Sequence, residues 1–172
     1  AYATAFIENH PISAVFLDCG LGKTVITLTA IKSLMHDSFS VRKVLIVAPL
    51  RVARDTWPAE IAKWSHLCDL SFAVAVGSVS ERKMALSQDT DIVITNRENV
   101  PWLIGQYKDL DSDEKKSYEW YEGTDPEGTR VMLKALRDAL LVRIQAYNDA
   151  NFLYGDEALE LSDCRIVVAC CY

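Results

Sequence analysis

A glycine-rich stretch near the start of the chain carries the residue types that hold phosphate groups. Gly20, Gly22, Lys23 and Thr24 form the pattern G-x-G-K-T. Glycines let a backbone pass close to phosphate oxygens, and the N–H groups at the start of a helix face an anion where the helix dipole favours negative charge. A lysine ammonium could then reach the β and γ phosphates, and a threonine hydroxyl could bind Mg²⁺. The pattern therefore predicts a loop that binds a nucleoside triphosphate, with ATP as the expected ligand.

The segments on either side of this loop have the patterns of the strand and the helix that such a motif requires. Residues 13–17 predict a short buried strand, and residues 23–36 predict a helix with one apolar face. The general phosphate-loop pattern, G-x-x-x-x-G-K-[ST], would place glycine at position 17, where this chain has Leu17. A glycine-rich turn that binds no ligand is therefore the alternative to a phosphate loop.

The first 104 residues alternate between helix-like and strand-like patterns. Besides a short helix before His10, the patterns predict strands at 44–48, 72–76 and 91–95 and helices at 58–65 and 80–86. The strand at 44–48 is apolar throughout, which is typical of a parallel sheet that is covered on both faces. Strands that are separated by helices of this length need right-handed crossover connections. The predicted fold class is therefore α/β, with a parallel sheet flanked by helices.

Composition and charge limit the possible functions. The chain has 172 residues and a formal net charge of −6, and half of its residues are hydrophobic, which is ordinary for a soluble globular protein. Residues 1–104 hold ten basic and ten acidic residues, so the acidic excess lies in residues 105–172. Neither part has the clustered basic face of a domain that binds nucleic acid strongly by itself. No apolar run reaches the roughly 18 residues that cross a bilayer, so we expect no membrane contact. We also expect a cytoplasmic location.

Five cysteines are spaced irregularly, without the C-x-x-C spacing of a zinc site. Their odd number and their spacing indicate idle thiols in a reducing cytosol. The chain begins with Ala1 rather than with methionine and lacks the pattern of a secretory signal, so we expect a fragment or a processed product.

The pattern changes after Leu103. Residues 105–125 are polar, acidic and aromatic without a clear period, and residues 125–127, Asp-Pro-Glu, are a typical helix start. The helix that they open is expected to run to about residue 148. Its apolar stripe, spaced by three and four residues, consists of Leu133, Leu136, Leu140, Ile144 and Tyr147. Residues 166–169 predict one more strand, so 105–172 is expected to be an added helical segment that ends in a strand.

Residues 17–24, LDCGLGKT, resemble motif I of the Snf-type, chromatin-remodeller-like ATPases in helicase superfamily 2. In that family the loop commonly reads D-x-G-L-G-K-T and often lacks the first glycine, so Leu17 is expected there. Residues 44–64 resemble motif Ia and the helix after it, with the pattern W-x-x-E-I-x-K-W at 57–64, and residues 92–98 resemble the next motif. The resemblance covers about residues 2–104 and is closest to phage and bacterial members.

The resemblance implies that residues 1–104 are the first part of a RecA-like lobe. In this family two such lobes clamp ATP and Mg²⁺ between them and move along nucleic acid, here expected to be double-stranded DNA, as ATP is hydrolysed. The second lobe is not in this chain. Lys23 would stabilise charge in the reaction and Thr24 would hold Mg²⁺. The residues expected to bind the nucleotide are Asp18, Cys19, Gly20, Leu21, Gly22, Lys23 and Thr24.

The resemblance also indicates which residues lie near the nucleic-acid backbone. In this family, loop N–H groups and side chains at these positions contact phosphates without reading bases. The matching residues are Pro49, Leu50, Arg51, Asn96 and Arg97. Arg51 and Arg97 could equally be solvated surface charges.

The acidic D-E-x-H box of the family, which handles Mg²⁺ and the attacking water, has no clear counterpart. One candidate is Asp156 with Glu157, although the segment before them would make a poor central strand and an acidic loop is the alternative. The other candidate is the strand from Arg165, in which Cys170 and Cys171 would replace both acids. Thiols at neutral pH are weak Mg²⁺ ligands. In that case the chain would bind nucleotide and hydrolyse it slowly or not at all.

Three functions are therefore open at the level of sequence. The first is the ATP-binding lobe of a nucleic-acid-dependent ATPase, and the second is a nucleotide-binding module without catalysis. The third is a small-molecule kinase of the phosphate-loop class. A kinase would need a lid with arginines near the end of the chain, where only Arg143 and Arg165 lie.

Overall fold

The computed structural model describes residues 2–10, 13–18 and 20–106, and towards the C-terminus residues 134, 136–138, 141, 142, 144–146, 148–151, 153–158, 160 and 163–168. The chain divides into two compact units, Ala1–Asn96 with Cys164–Tyr172, and Arg97–Asp163. The first unit contains the glycine-rich loop and the sheet. The division at residue 104 that the sequence favours stays a prediction.

Helices and strands alternate along the described chain. The helices are α1 (Tyr2–Asn9), α2 (Lys23–Lys32), α3 (Trp57–Lys63), α4 (Val79–Ser87) and α5 (Val100–Gly105). The strands are β1 (Lys43–Ala48), β2 (Phe72–Ala75), β3 (Ile92–Asn96) and β4 (Cys164–Val168). Wider turns of π type extend α2 at Ser33–Asp37 and precede α3 at Val52–Thr56. These elements confirm the helices and strands predicted between residues 23 and 95. None of the described helices has the length and hydropathy needed to cross a bilayer.

The described strands form one parallel sheet in the order β2-β3-β1-β4. β1 is an inner strand that pairs with β3 on one edge and with β4 on the other. Its residues 44–48 are all buried, as the continuous apolar pattern predicts for a strand covered on both faces. A parallel sheet flanked by helices confirms the α/β fold class and corresponds to a RecA-like lobe.

The core of the first unit is built around β1 and the helices α2 and α3. Leu28 and Ile31 of α2 and Ile61 of α3 are buried together with Ile46 of β1. Each such side chain contributes about 1.5–3 kcal/mol when it is fully removed from water. Trp57 is 3% exposed, and its indole N–H has no acceptor among the described residues. Apolar packing therefore accounts for its position better than hydrogen bonding does.

The strand predicted at residues 13–17 is wrong. Residues 13–18 are described without any strand, and the Phe16 side chain is 85% exposed. A segment becomes a strand only when its N–H and C=O groups find a neighbouring backbone. Residues 13–18 pair with none of the four described strands. The glycine-rich loop therefore follows a segment that lies outside the described sheet.

The second unit contains part of the predicted C-terminal helix. The described residues between 134 and 150 are helical, and Leu136 and Ile144 of the predicted apolar stripe are buried. The other three residues of that stripe and the predicted helix start at 125–127 lie outside the described residues. The final strand predicted at 166–169 is confirmed as β4 as far as Val168, and Ala169 lies outside the described residues.

Hydrogen bonds between Ser71 and Asp91 join the starts of β2 and β3. The Asp91 carboxylate accepts from the Ser71 N–H at 2.8 Å and from the Ser71 hydroxyl at 2.7 Å. The Ser71 hydroxyl in turn accepts from the Asp91 N–H at 2.9 Å. The Asp91 carbonyl also accepts from the Val44 N–H at 2.9 Å, which connects the pair to β1. The Asp91 side chain thus joins the starts of β2 and β3, and its main-chain carbonyl links the same residue to β1.

We expect Asp91→Ala to lower the free energy of unfolding by about 1–3 kcal/mol, because the Ser71 donors lose their acceptor. Asp89→Ala is the matched control, since its carboxylate pairs with Lys43 at 2.5 Å but is 82% exposed. Exposed ion pairs contribute only about 0–1 kcal/mol. Chemical denaturation followed by circular dichroism measures both variants, and equal losses would contradict a special role for Asp91.

Candidate nucleotide-binding site

Two glycines shape the loop before α2. Gly20 has a φ of 84° and Gly22 a φ of 75°, in the left-handed region that other residues avoid. Between them, the Leu21 N–H donates to the Asp18 carbonyl at 3.3 Å and closes a bend. Gly22 is the N-cap of α2. Of the seven residues predicted to bind nucleotide, Cys19 lies outside the described residues, and the other six belong to this loop and the first turn of α2.

The surroundings of the two glycines differ. A Cβ atom at Gly20 would meet no atom within 4 Å, whereas one at Gly22 would lie 3.2 Å from Val25 Cγ1. Gly20 therefore borders open space, and Gly22 packs closely on the first turn of α2. Open space beside a glycine is what a ligand needs in order to approach the backbone.

The start of α2 has the properties of an anion site. Its first turn contains no acidic residue, and no side chain caps its N–H groups. The first N–H groups of a helix lack partners within the helix, and the helix dipole favours a negative charge beside them. Thr24, the half-buried second residue of α2, is in this turn. This helix end therefore offers donors without a competing carboxylate in its own first turn.

The Lys23 ammonium lies against the loop itself. Its Nζ atom donates to the Leu17 carbonyl at 2.5 Å and to the Asp18 carbonyl at 3.1 Å. These neutral acceptors solvate the positive charge without neutralising it. Hydrogen bonds to an ionised acceptor are roughly twice as strong as neutral ones. A phosphate group could therefore replace the two carbonyls as the partner of Lys23.

The residues predicted to lie near nucleic acid follow two adjacent strands. Pro49, Leu50 and Arg51 come directly after β1, and Asn96 is the last residue of β3. Because β1 and β3 pair in parallel to their last residues, these positions lie at the same edge of the sheet. Leu50 and Arg51 are exposed, whereas Asn96 is only 6% exposed. Arg97 is the first residue of the second unit.

The candidate acids have different surroundings in the fold. Asp156 and Glu157 belong to the second unit, in a short 3-10 turn at Gly155–Glu157. Their catalytic role stays a prediction. In the other candidate alignment, Cys170 and Cys171 take the place of the acidic box after β4. This strand pairs with β1 in the first unit. Cys170 and Cys171 lie outside the described residues.

One charged pair near these positions was missed at the level of sequence. In the π-type turn after β1, Arg54 Nε lies 2.9 Å from Asp55 Oδ1 and Arg54 Nη2 lies 3.0 Å from Asp55 Oδ2. This hydrogen bonding raises the pKa of Arg54 and holds the pKa of Asp55 below its usual value, and the nearby charge of Arg51 lowers the pKa of Asp55 further. The sequence offered no signal for this pair, because neighbouring residues on a regular helix do not face each other.

Three residues of the W-x-x-E-I-x-K-W pattern, Glu60, Lys63 and Trp64, contact one another. The Trp64 indole N–H donates to Glu60 Oε2 at 2.7 Å, and this bond is the main cause that lowers the pKa of the Glu60 carboxyl. Lys63 Nζ lies 5.0 Å from the centre of the Trp64 ring and 3.4 Å from Glu60 Oε1. These contacts join the end of α3 to the residue after it, so the second half of the pattern is explained by local packing.

A parallel sheet flanked by helices, with a glycine-rich loop at the start of α2, is the arrangement of a RecA-like lobe. The SNF2-related domain family matches residues 9–136 of the chain. The match covers well over half of the 172 residues, so the chain belongs to this family. The matched region extends beyond residue 104, into a stretch for which sequence inspection found no counterpart.

The chain is also similar to a curated protein from a phage. The chain is 41% identical over 103 residues to "Putative protein p41" of Acyrthosiphon pisum secondary endosymbiont phage 1. The match covers 57% of this chain and 22% of the relative, so it spans about a fifth of that protein's length. A relative of phage origin agrees with the phage or bacterial type that the sequence indicated.

We expect substitutions of the loop glycines to destabilise the chain in a defined order. Gly22→Ala should cost most, about 1–2 kcal/mol for the left-handed backbone in addition to the crowding at Val25. Gly20→Ala should cost about 1–2 kcal/mol from the backbone alone. Gly105→Ala, at the exposed end of α5, should be neutral or gain up to about 1 kcal/mol. Free energies of unfolding from chemical denaturation give the order, and a neutral Gly22→Ala would contradict the loop geometry.

Proposed function

We propose that this chain is the ATP-binding lobe of a superfamily 2 DNA helicase- or translocase-like ATPase, in which ATP hydrolysis is coupled to nucleic-acid binding. The observation that carries the proposal is the loop that turns through Gly20 and Gly22 into an uncapped helix start, with the Lys23 ammonium beside it. Membership of the SNF2-related domain family supports it. The activity of the whole protein is part of the proposal, since the chain spans 22% of its curated relative.

In the proposed complex, the backbone from Asp18 to Thr24 surrounds the phosphates of ATP. Lys23 exchanges the Leu17 and Asp18 carbonyls for β- and γ-phosphate oxygens and stabilises the charge that develops during in-line transfer of the γ-phosphoryl group to water. The Thr24 hydroxyl would hold Mg²⁺, which would supply positive charge against the negative charge of the phosphates.

We further propose that the carboxyl ends of β1 and β3 contact double-stranded DNA through its phosphates. The residues involved are Pro49, Leu50, Arg51, Asn96 and Arg97. The parallel pairing of the two strands and the exposure of Arg51 support this part of the proposal. A second RecA-like lobe outside this chain would close over the nucleotide, and the setting would be the cytoplasm of a bacterial host.

A nucleotide-binding module without catalysis is the second candidate function. The pairing of β4 with β1 favours it, because Cys170 and Cys171 would then follow a strand of the same sheet in place of the acidic box. Thiols at neutral pH bind Mg²⁺ weakly. In the first candidate function, Asp156 and Glu157 would supply the carboxylates instead.

We expect Lys23→Ala to weaken nucleotide binding on the order of tenfold to a hundredfold, because a charge-assisted contact to phosphate is lost. Lys32→Ala is the matched control, since Lys32 is at the other end of α2 with its Nζ 3.6 Å from Asp69. Titration of the chain with a fluorescent ATP analogue in the presence of Mg²⁺ gives both dissociation constants. An unchanged affinity of Lys23→Ala would refute the binding loop.

ATP turnover by the 172-residue chain separates the two candidate functions. We expect double-stranded DNA to raise turnover, and Asp156→Asn with Glu157→Gln to lower it by about 10²-fold while nucleotide affinity is kept. Turnover that the double substitution leaves unchanged would exclude these two acids. Tight nucleotide binding without turnover, with and without DNA, would instead support the non-catalytic module.

A further inference from the structure

The helical segment after β1 presents a pair of arginines to solvent. Arg51 and Arg54 are exposed on the outer side of this segment, together with Asp55. Ala53 and Trp57 point the other way and are fully buried in the core. The burial of these two residues fixes the rotation of the segment, so the outward direction of the arginines follows from the packing of the core. The segment begins at the carboxyl end of β1, where the proposed DNA contacts lie.

The cation of Arg54 is held by its sequence neighbour. Both oxygens of the Asp55 carboxylate accept hydrogen bonds from the Arg54 guanidinium, at 2.9 and 3.0 Å. The two side chains are 56% and 58% exposed. Paired N–H groups of a guanidinium bind a carboxylate and a phosphate with the same two-pronged geometry. The Asp55 carboxylate thus occupies the donors that a phosphate group would use.

The pair has no evident task in holding the fold together. Arg54 and Asp55 are adjacent in the chain, so their contact joins no separate elements. By contrast, Lys43 bonds to Asp89 and to the Thr90 carbonyl at 3.0 Å, which connects the start of β1 to the segment before β3. An exposed pair between neighbours contributes little to stability and exchanges readily for another anion.

We propose that Arg54 is a phosphate-binding residue of the nucleic-acid interface and that Asp55 is a built-in competitor, which holds the guanidinium until a backbone phosphate of the duplex replaces it. Arg54 lies three residues after Arg51 in the same helical segment, and both are exposed. Asp55 acts through Arg54 and is therefore a positioning residue, and its negative charge also repels the duplex. The inference rests on the proposed function, because it assumes that this edge of the sheet faces nucleic acid.

Binding of a fluorescently labelled DNA duplex to the 172-residue chain, followed by anisotropy from low to moderate salt, tests the proposal. We expect Asp55→Asn to tighten binding about threefold to tenfold at low salt, because the guanidinium is released and a repulsive charge is lost. Arg54→Ala should weaken binding and lower the slope of log K against log salt by about 1, the value for one lost phosphate contact. In the Arg54→Ala background, Asp55→Asn should have a smaller effect.

Asp89→Asn is the matched control, because it removes the same charge from an exposed ion pair at the opposite edge of the sheet. An equal gain in affinity from Asp89→Asn and Asp55→Asn would overturn the proposal, since net charge alone would then explain it. An unchanged salt slope in Arg54→Ala would overturn it as well. Chemical denaturation of each variant distinguishes a loss of folding from a loss of contact. We expect free energies of unfolding within about 1 kcal/mol of the wild type, since each change removes only an exposed ion pair.

The outcomes for this inference and for the proposed function can be told apart. If the wild-type chain binds the duplex and Asp55→Asn binds equally well, the competitor role fails and the proposed function stands. If no variant binds any duplex, both the inference and the DNA-binding part of the proposed function fail. The nucleotide titration of Lys23→Ala is independent of either result.

Discussion

The parallel pairing of β1 with β3 and β4 is the constraint on which the rest of the first unit depends. β1 is hydrogen-bonded on both edges and its residues 44–48 are buried, so it cannot shift without breaking two ladders and exposing apolar side chains. The Asp91 hydrogen bonds hold the amino end of this arrangement. Because parallel strands align their carboxyl ends, the segments after β1 and β3 begin side by side, and the proposed DNA contacts follow from that geometry.

Two cations that the proposals assign to phosphate are held by oxygen atoms of the chain itself. Lys23 donates to neutral carbonyls, whereas Arg54 donates to an ionised carboxylate. Neutral acceptors compete weakly with a phosphate, so the loop can exchange them without displacing a charge. The carboxylate of Asp55 competes with like charge and adds repulsion. In the proposals, a phosphate therefore replaces neutral carbonyls at Lys23, whereas at Arg54 it has to displace a carboxylate.

Most regular elements of the first unit could be predicted, because apolar periodicity reports which side chains are buried. The strand at 13–17 could not, since periodicity does not report whether a backbone finds a partner. The glycine-rich loop could be predicted because its two left-handed positions favour glycine, which is visible in the sequence. The Arg54–Asp55 pair could not, because adjacent side chains on a regular helix do not face each other and the π-type turn that contains the pair was not predicted.

The sequence by itself determined the α/β class, the parallel sheet, the phosphate-loop motif and the resemblance to Snf-type ATPases, since each of these depends on residues that are close together in the chain. Only the tertiary structure decided the strand order β2-β3-β1-β4 and the partners of the Lys23 ammonium. The strand order rests on backbone pairing between residues as distant in the chain as Val44 and Arg165. Local sequence patterns do not predict which distant strand a given strand pairs with, because every strand offers the same backbone N–H and C=O groups.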